Sequence, residues 1–148
     1  MTVQGTFTVT IDAPPDKVWP WIADVTKHSD YSPNPFQAEL LSGEPGKVGT
    51  RYRTIGVIPN DKNHSNDVEV VESVPNERLV LRSDDKLGAF TNTYVLRPTG
   101  SGTEVSWTTV FPPLKFPLSV MAPILFPLVG KPDGRKRVQL LKKAVESA

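Results

Sequence analysis

The sequence predicts a single α+β domain, residues 1–148, in which a curved, mostly antiparallel sheet of seven strands wraps a long C-terminal helix. Three observations predict it. Residues 36–110 alternate apolar and polar side chains in short runs separated by turn residues, the pattern of half-buried strands joined directly to one another. Such short joints suit antiparallel pairs, because a parallel pair needs a crossover of about a dozen residues or more. Residues 135–146 switch to helical spacing, and a length of 148 residues fits one domain.

The first strand covers residues 3–11, with Val3, Phe7, Val9 and Ile11 on one face. Asp12-Ala-Pro-Pro-Asp16 stops it, and Asp12 or Asp16 is suited to accept N–H bonds at a helix start. Val18, Trp19, Trp21, Ile22 and Val25 then give a short amphipathic helix ending near Asp24–Lys27 and weakened by Pro20. A second, shorter helical turn is expected from His28 to Pro33. Strands follow at 36–41, 50–58, 66–74, 78–83, 89–97 and 103–110. They are separated at Gly43–Gly46, Pro59–Asp61, Val74–Glu77, Asp84–Lys86 and Pro98–Gly102. In the last break, glycine supplies the positive φ of a hairpin turn. The closing helix, Arg135–Glu146, carries Val138, Leu141 and Val145 on one face, with Lys136, Arg137, Lys142 and Lys143 mostly outside it. Cations at its end suit the negative pole of the helix dipole.

Composition removes several functions. The net charge of +1 gives no basic excess for nucleic acid. With no cysteine, disulfides and thiolate chemistry are excluded. The N-terminus lacks a basic and apolar leader pattern, so a cytoplasmic location is expected. There is no Gly-x-Ser-x-Gly elbow and no glycine-rich phosphate loop after a strand. His28 and His64 have no recognisable ligand spacing, so neither a metal nor a cofactor is expected; surface or hydrogen-bonding roles are the readings for both.

Five segments carry a resemblance: IDAPPDKVWPWIADVTKHSDYSP at 11–33, GKVGTRYR at 46–53, VESVPNERLVL at 71–81, YVLRPTGSGTEVSW at 94–107, and the closing stretch Pro112–Glu146. Over essentially its whole length the chain resembles the START-like superfamily, most of all its polyketide cyclase/dehydrase and lipid-transport branch. The resemblance implies a helix-grip fold with two short helices after the first strand. It also implies an internal cavity for a hydrophobic or aromatic small molecule. One departure is Tyr31, where relatives often carry Trp.

The strand faces supply the lining. Tyr52 shares a face with Thr54, Gly56 and Ile58; Phe90, Asn92, Tyr94 and Leu96 share another; Thr103, Val105, Trp107 and Thr109 a third. Polar tips among large aromatics need partners, because an orphaned buried amide or hydroxyl costs about 1–3 kcal/mol. With the resemblance, Tyr31, Tyr52, Phe90, Asn92, Tyr94, Trp107 and Thr109 are the expected pocket; an ordinary core with internally satisfied tips fits the same residues. Segment 114–129 is apolar all round yet broken by Pro117, Pro123 and Pro127. It is too short for the roughly 20 residues of a membrane span. Its expected role is pocket wall and entrance, adding Met121 and Leu125 to the lining; plain core packing, a lid, a dimer face and membrane contact remain open. The cations Lys131, Arg135, Lys136, Arg137, Lys142 and Lys143 read as a solvated helix face, with transient contact to anionic lipid as the alternative.

Three functions follow. One is a binder of a lipid or polyketide-like molecule. A second is a cyclase/aromatase or dehydratase using Tyr52, Asn92, Tyr94 and His64. The third is an interaction module built on 114–129, leaving monomer and homodimer both open.

Overall fold

Period-two alternation builds β1 (Gln4–Ile11), β2 (Gln37–Ser42), β3 (Arg51–Ile58), β4 (Asp61–Val74), β5 (Arg78–Asp85), β6 (Gly88–Thr99) and β7 (Gly102–Val110). In a computed structural model these seven form one antiparallel sheet in the order β1-β7-β6-β5-β4-β3-β2. The structure describes residues 3–58 and 61–148, and of Ile58 and Val129 the backbone alone. Met1-Thr2 and the break expected at Pro59-Asn60 lie outside them.

Every consecutive pair from β2 to β7 is hydrogen-bonded, so the middle of the chain is the expected meander. β1 closes onto β7, pairing the two ends of the strand sequence. Register shifts at Leu40/Ser42, Gly56/Ile58 and Val70/Glu72 bend strands β2 to β5, and bulges of this kind let a sheet curl around a helix. β5, β6 and β7 pair without a shift, so the face assignments along Phe90–Leu96 and Thr103–Thr109 hold. The β6–β7 turn is the two residues Gly100-Ser101, with Gly100 at φ 56°.

Between β1 and β2 lie α1 (Pro15–Ala23) and a 3₁₀ helix (Val25–Tyr31), the two short helices expected. The start of α1 differs from expectation. Pro14 occupies the N-cap without a side-chain bond, and Asp16 stands in the first turn. Asp12 instead donates its own N–H to Glu146 Oε2 at 2.8 Å, tying the end of β1 to the end of the C-terminal helix. Asp24 caps the 3₁₀ helix, accepting from the Thr26 N–H at 3.0 Å. β4 starts at Asp61 and not at 66, because β3 supplies a pairing partner for this polar run. Pairing also overrides the weak strand preference of Asp85 and Pro98, which lie inside β5 and β6.

After β7, α2 (Leu118–Leu125), a π-helical turn (Phe126–Gly130) and α3 (Lys131–Glu146) follow without interruption. The π turn coincides with Pro127, which has no N–H to give; the Lys131 N–H reaches back five residues to the Phe126 carbonyl. α3 therefore begins before Arg135. It buries Gly134, Val138, Leu141 and Val145 against the sheet. The core joins these to Phe7, Val9, Ile11, Ile22, Leu79, Leu96 and Val105.

Candidate ligand cavity

The curl of the sheet leaves space beside α3. A cavity of about 330 Å³ opens on the inner face of β3–β6, beneath the 3₁₀ helix. That is the lower end of the roughly 300–1,000 Å³ found for small-molecule pockets. Its lining follows strand alternation: His64, Asn66 and Val68 from β4; Leu81, Ser83 and Asp85 from β5; Phe90, Asn92 and Tyr94 from β6. Cross-strand register stacks them in rungs, pairing Thr54 with Asn66, Val68 with Ser83, Ser83 with Phe90 and Leu81 with Asn92. Val25, Val68, Leu81 and Leu87 supply apolar wall. A second cavity of about 240 Å³ lies nearer β1 and the π turn, lined by Phe7, Trp107, Thr109, Phe111, Phe126 and Asp133 among others.

One side chain belongs to both cavities: Arg137 of α3. Its guanidinium lies 4.8 Å above the Trp107 ring and 5.5 Å from that of Tyr31, both cation–π distances. Nη2 makes a long bond of 3.4 Å to the Tyr94 hydroxyl, and Nε is buried without any partner. The Trp107 indole donates to Asn92 Oδ1 at 3.1 Å and its ring stacks on Tyr94 with centroids 6.2 Å apart. An indole N–H is donor only, so the Asn92 oxygen must face it, which leaves the carboxamide NH₂ for the cavity. The polar tips thus satisfy one another in part and leave donors over. Burial alone would lower the Arg137 pKa, but the neighbouring Tyr94 and Tyr31 outweigh it and hold the group above its usual value, so the cation persists.

Both histidines are buried, which excludes a surface role and leaves the hydrogen-bonding one. His28 bonds through Nε2 to the Ile22 carbonyl at 2.8 Å, which fixes Nε2 as the protonated nitrogen of a neutral ring. Burial first, and the Arg137 charge second, push its pKa down to about 3. His64 Nε2 meets Asp85 Oδ2 at 2.7 Å, and its Nδ1 is 3.6 Å from Asp61. Asp85 also accepts the Leu87 N–H at 2.7 Å. His64 and Asp85 both line the larger cavity as an imidazole–carboxylate pair. No group of three or more His, Cys, Asp or Glu side chains among the described residues is placed to hold a metal.

The family model for polyketide cyclase/dehydrase and lipid transport matches residues 2–146. The chain belongs to this family. Solved structures agree in fold: CV1439 from Chromobacterium violaceum (19% identical, TM-score 0.72, covering 99% of this chain and 98% of that one) and TTHA0849 from Thermus thermophilus (22%, 0.71, 99% and 98%). A di-domain aromatase/cyclase, StfQ of the steffimycin biosynthetic pathway, matches at 14% identity and TM-score 0.79, with 99% of this chain and 51% of that one covered. No curated protein matches. The helix-grip fold and the START-like resemblance are both confirmed.

Within this polyketide cyclase/dehydrase-family chain, the expected lining residues divide three ways. Phe90, Asn92 and Tyr94 line the larger cavity, and Trp107 and Thr109 the smaller. Tyr31 and Tyr52 do not reach either cavity; both are fully enclosed in the core, Tyr31 at the end of the 3₁₀ helix and Tyr52 on β3. Tyr31 donates to the Trp21 carbonyl at 3.2 Å, and burial raises its pKa well above the usual value. The Tyr52 hydroxyl has no good hydrogen bond, and its pKa is pushed up to about 12 by burial and then by the Asp24 charge. Met121 and Leu125 also lie outside the cavities. α2 buries none of its side chains, so its proline-broken apolar surface faces outward, and Phe116 just before it is 82% exposed. Phe126 and Gly130 of the π turn supply the wall instead. Among the described residues no helix is long and apolar enough to cross a membrane.

Arg137 corrects the sequence reading most. Its charge places it among the solvated cations, yet it follows buried Gly134 by three residues and precedes buried Leu141 by four, which sets it on the inward flank of α3. Helical spacing carries that signal; the charge masks it.

Proposed function

We propose that this family member binds one hydrophobic or aromatic small molecule, lipid or polyketide-like, in the cavity between sheet and α3. The observation that supports this reading is the 330 Å³ space, whose apolar wall is studded with polar tips. Partly satisfied tips orient an apolar guest without large desolvation cost, the usual composition of a ligand site. Native mass spectrometry of the whole chain against lipids and fused-ring aromatics is expected to give a one-to-one complex. A ligand present at about a hundred times its Kd also stabilises the fold by about 2.7 kcal/mol, seen as a rise in Tm. No complex and no Tm change with any member of such a panel removes the reading.

The His64–Asp85 pair favours a second reading: cyclisation or dehydration of a bound polyketide-like chain. The cavity would hold the chain in a reactive fold, and the imidazole would move a proton at an activated carbon. Asn92 and Tyr94 would orient carbonyl oxygens; Tyr52, outside the cavity, has no part in it. Under this reading His64→Gln slows cyclisation of a linear poly-β-ketone thioester by about 10²–10⁴-fold. Equal rates with the variant and the wild type, or no rate above solution, set it aside.

A further inference from the structure

We propose that Arg137 is the anchor for a carboxylate, so that the ligand is an apolar or aromatic acid. The inference rests on the cavity being a binding site and names what that site selects.

The guanidinium carries a permanent charge on a half-buried side chain whose Nε is enclosed, and no carboxylate among the described residues pairs with it. Arg51, Arg53, Arg78, Arg82 and Arg97 each make an ion pair with a nearby acid at the surface. Arg137 makes none among the described residues. Asp85 lines the same cavity but is engaged by His64 and the Leu87 amide. Asp133, one turn earlier on α3 and lining the second cavity, makes no ion pair with it. The neighbours that Arg137 does have are aromatic faces and the phenols of Tyr94 and Tyr31, which support a cation without neutralising it.

The fork of nitrogens is also unfilled. Nε is enclosed without a partner, and Nη2 has one long bond, to Tyr94. A planar fork with open donors matches the two oxygens of a carboxylate. The place of the fork sets the rest of the ligand. Arg137 stands where both cavities meet, so an acid held there has apolar wall on either side: Val68, Leu81 and Phe90 in one cavity, Phe7, Phe111 and Phe126 in the other. Tyr94, whose hydroxyl oxygen accepts from Arg137, keeps its own proton to donate to the same guest. A neutral filler would pack this junction at less desolvation cost, so the charge is retained for a partner that arrives with the ligand.

The test uses the whole chain, isothermal titration calorimetry at neutral pH, and an isosteric probe pair, 2-naphthoate and 2-naphthamide. The wild type is expected to bind the carboxylate about ten- to a hundredfold more tightly than the amide. Arg137→Gln should abolish that preference, read as the ratio of the two affinities in the variant. Should Arg137→Gln fail to fold, Arg137→Lys carries the test. A point charge in place of the fork should cut the preference by at least about threefold, and an unchanged preference overturns the proposal. Equal binding of both probes by the wild type, or a preference that survives Arg137→Gln, overturns the carboxylate anchor and leaves the cavity reading standing. Binding of neither probe up to millimolar concentration overturns both.

Discussion

Gly134→Val is expected to unfold the protein or leave it marginal. Gly134 is buried on α3, and a Cβ there would collide with the ring of Phe7 from β1. The same ring packs on Trp107, with centroids 5.2 Å apart, and turning it aside disturbs that contact. Trp107 in turn is held by Asn92, Tyr94 and Arg137. Overpacking a close contact costs about 1–3 kcal/mol, and more where backbone must shift. Here either the Phe7 ring must swing away from Trp107 or the helix must lift from the sheet, so a loss of about 3 kcal/mol is expected, against a total stability of about 5–15 kcal/mol. Urea unfolding measures it. Gly134→Ala separates sterics from helix preference. At an open helical site this change gains about 1 kcal/mol, whereas here it is expected to destabilise, and Phe7→Leu in the same chain should recover part of the loss. A stabilised Gly134→Ala would mean that α3 does not sit on Phe7 as described.

Mild acid is expected to destabilise the fold through His28. The ring is neutral when folded, with its pKa lowered from 6.5 to about 3 by burial and then by the Arg137 cation. The unfolded chain takes up the proton near the ordinary pKa while the folded chain does not. The contribution of neutral His28 is therefore complete above the unfolded pKa, and it is lost as pH falls through the window from 6.5 towards 3. The slope is at most about 1.4 kcal/mol per pH unit, so a drop to pH 5 costs about 2 kcal/mol. Urea midpoints at pH 7.5 and pH 5 are the measurement. His28→Gln keeps a donor for the Ile22 carbonyl and should flatten the dependence. An equally steep loss in that variant assigns the acid sensitivity to other groups.

The fold was legible in the sequence because period-two alternation and short turns leave few arrangements for 148 residues. Strand ends were harder to place. The run Asp61–Asn66 has poor strand preference and becomes β4 only because β3 offers it a ladder. Part of the lining of the candidate cavity was legible too. Phe90, Asn92 and Tyr94 alternate inward along one unbulged strand, and no loop geometry had to be known to place them. Tyr31 and Tyr52 share the chemistry of pocket residues, yet both are enclosed in the core, Tyr31 from the end of the 3₁₀ helix and Tyr52 from β3, tertiary facts with no local signature. Met121 and Leu125 look like lining because apolar side chains seek cover, but α2, ahead of the π turn at Pro127, lies on the surface and buries none of its side chains. His64–Asp85 joins β4 to β5 across a separation of 21 residues, and neither residue stands out by spacing.

The central claim is that the 330 Å³ space is where a ligand sits. Its most direct test is to fill the space from a strand that does not otherwise need it. Ser83 projects from β5 into the cavity between Val68 and Phe90. Ser83→Phe is expected to leave the circular-dichroism spectrum and oligomeric state unchanged. It should weaken binding of any ligand found for the wild type by about a hundredfold or more, since steric exclusion removes the site and not one contact. A folded Ser83→Phe variant that binds the same ligand with wild-type affinity would place the ligand elsewhere and contradict the account.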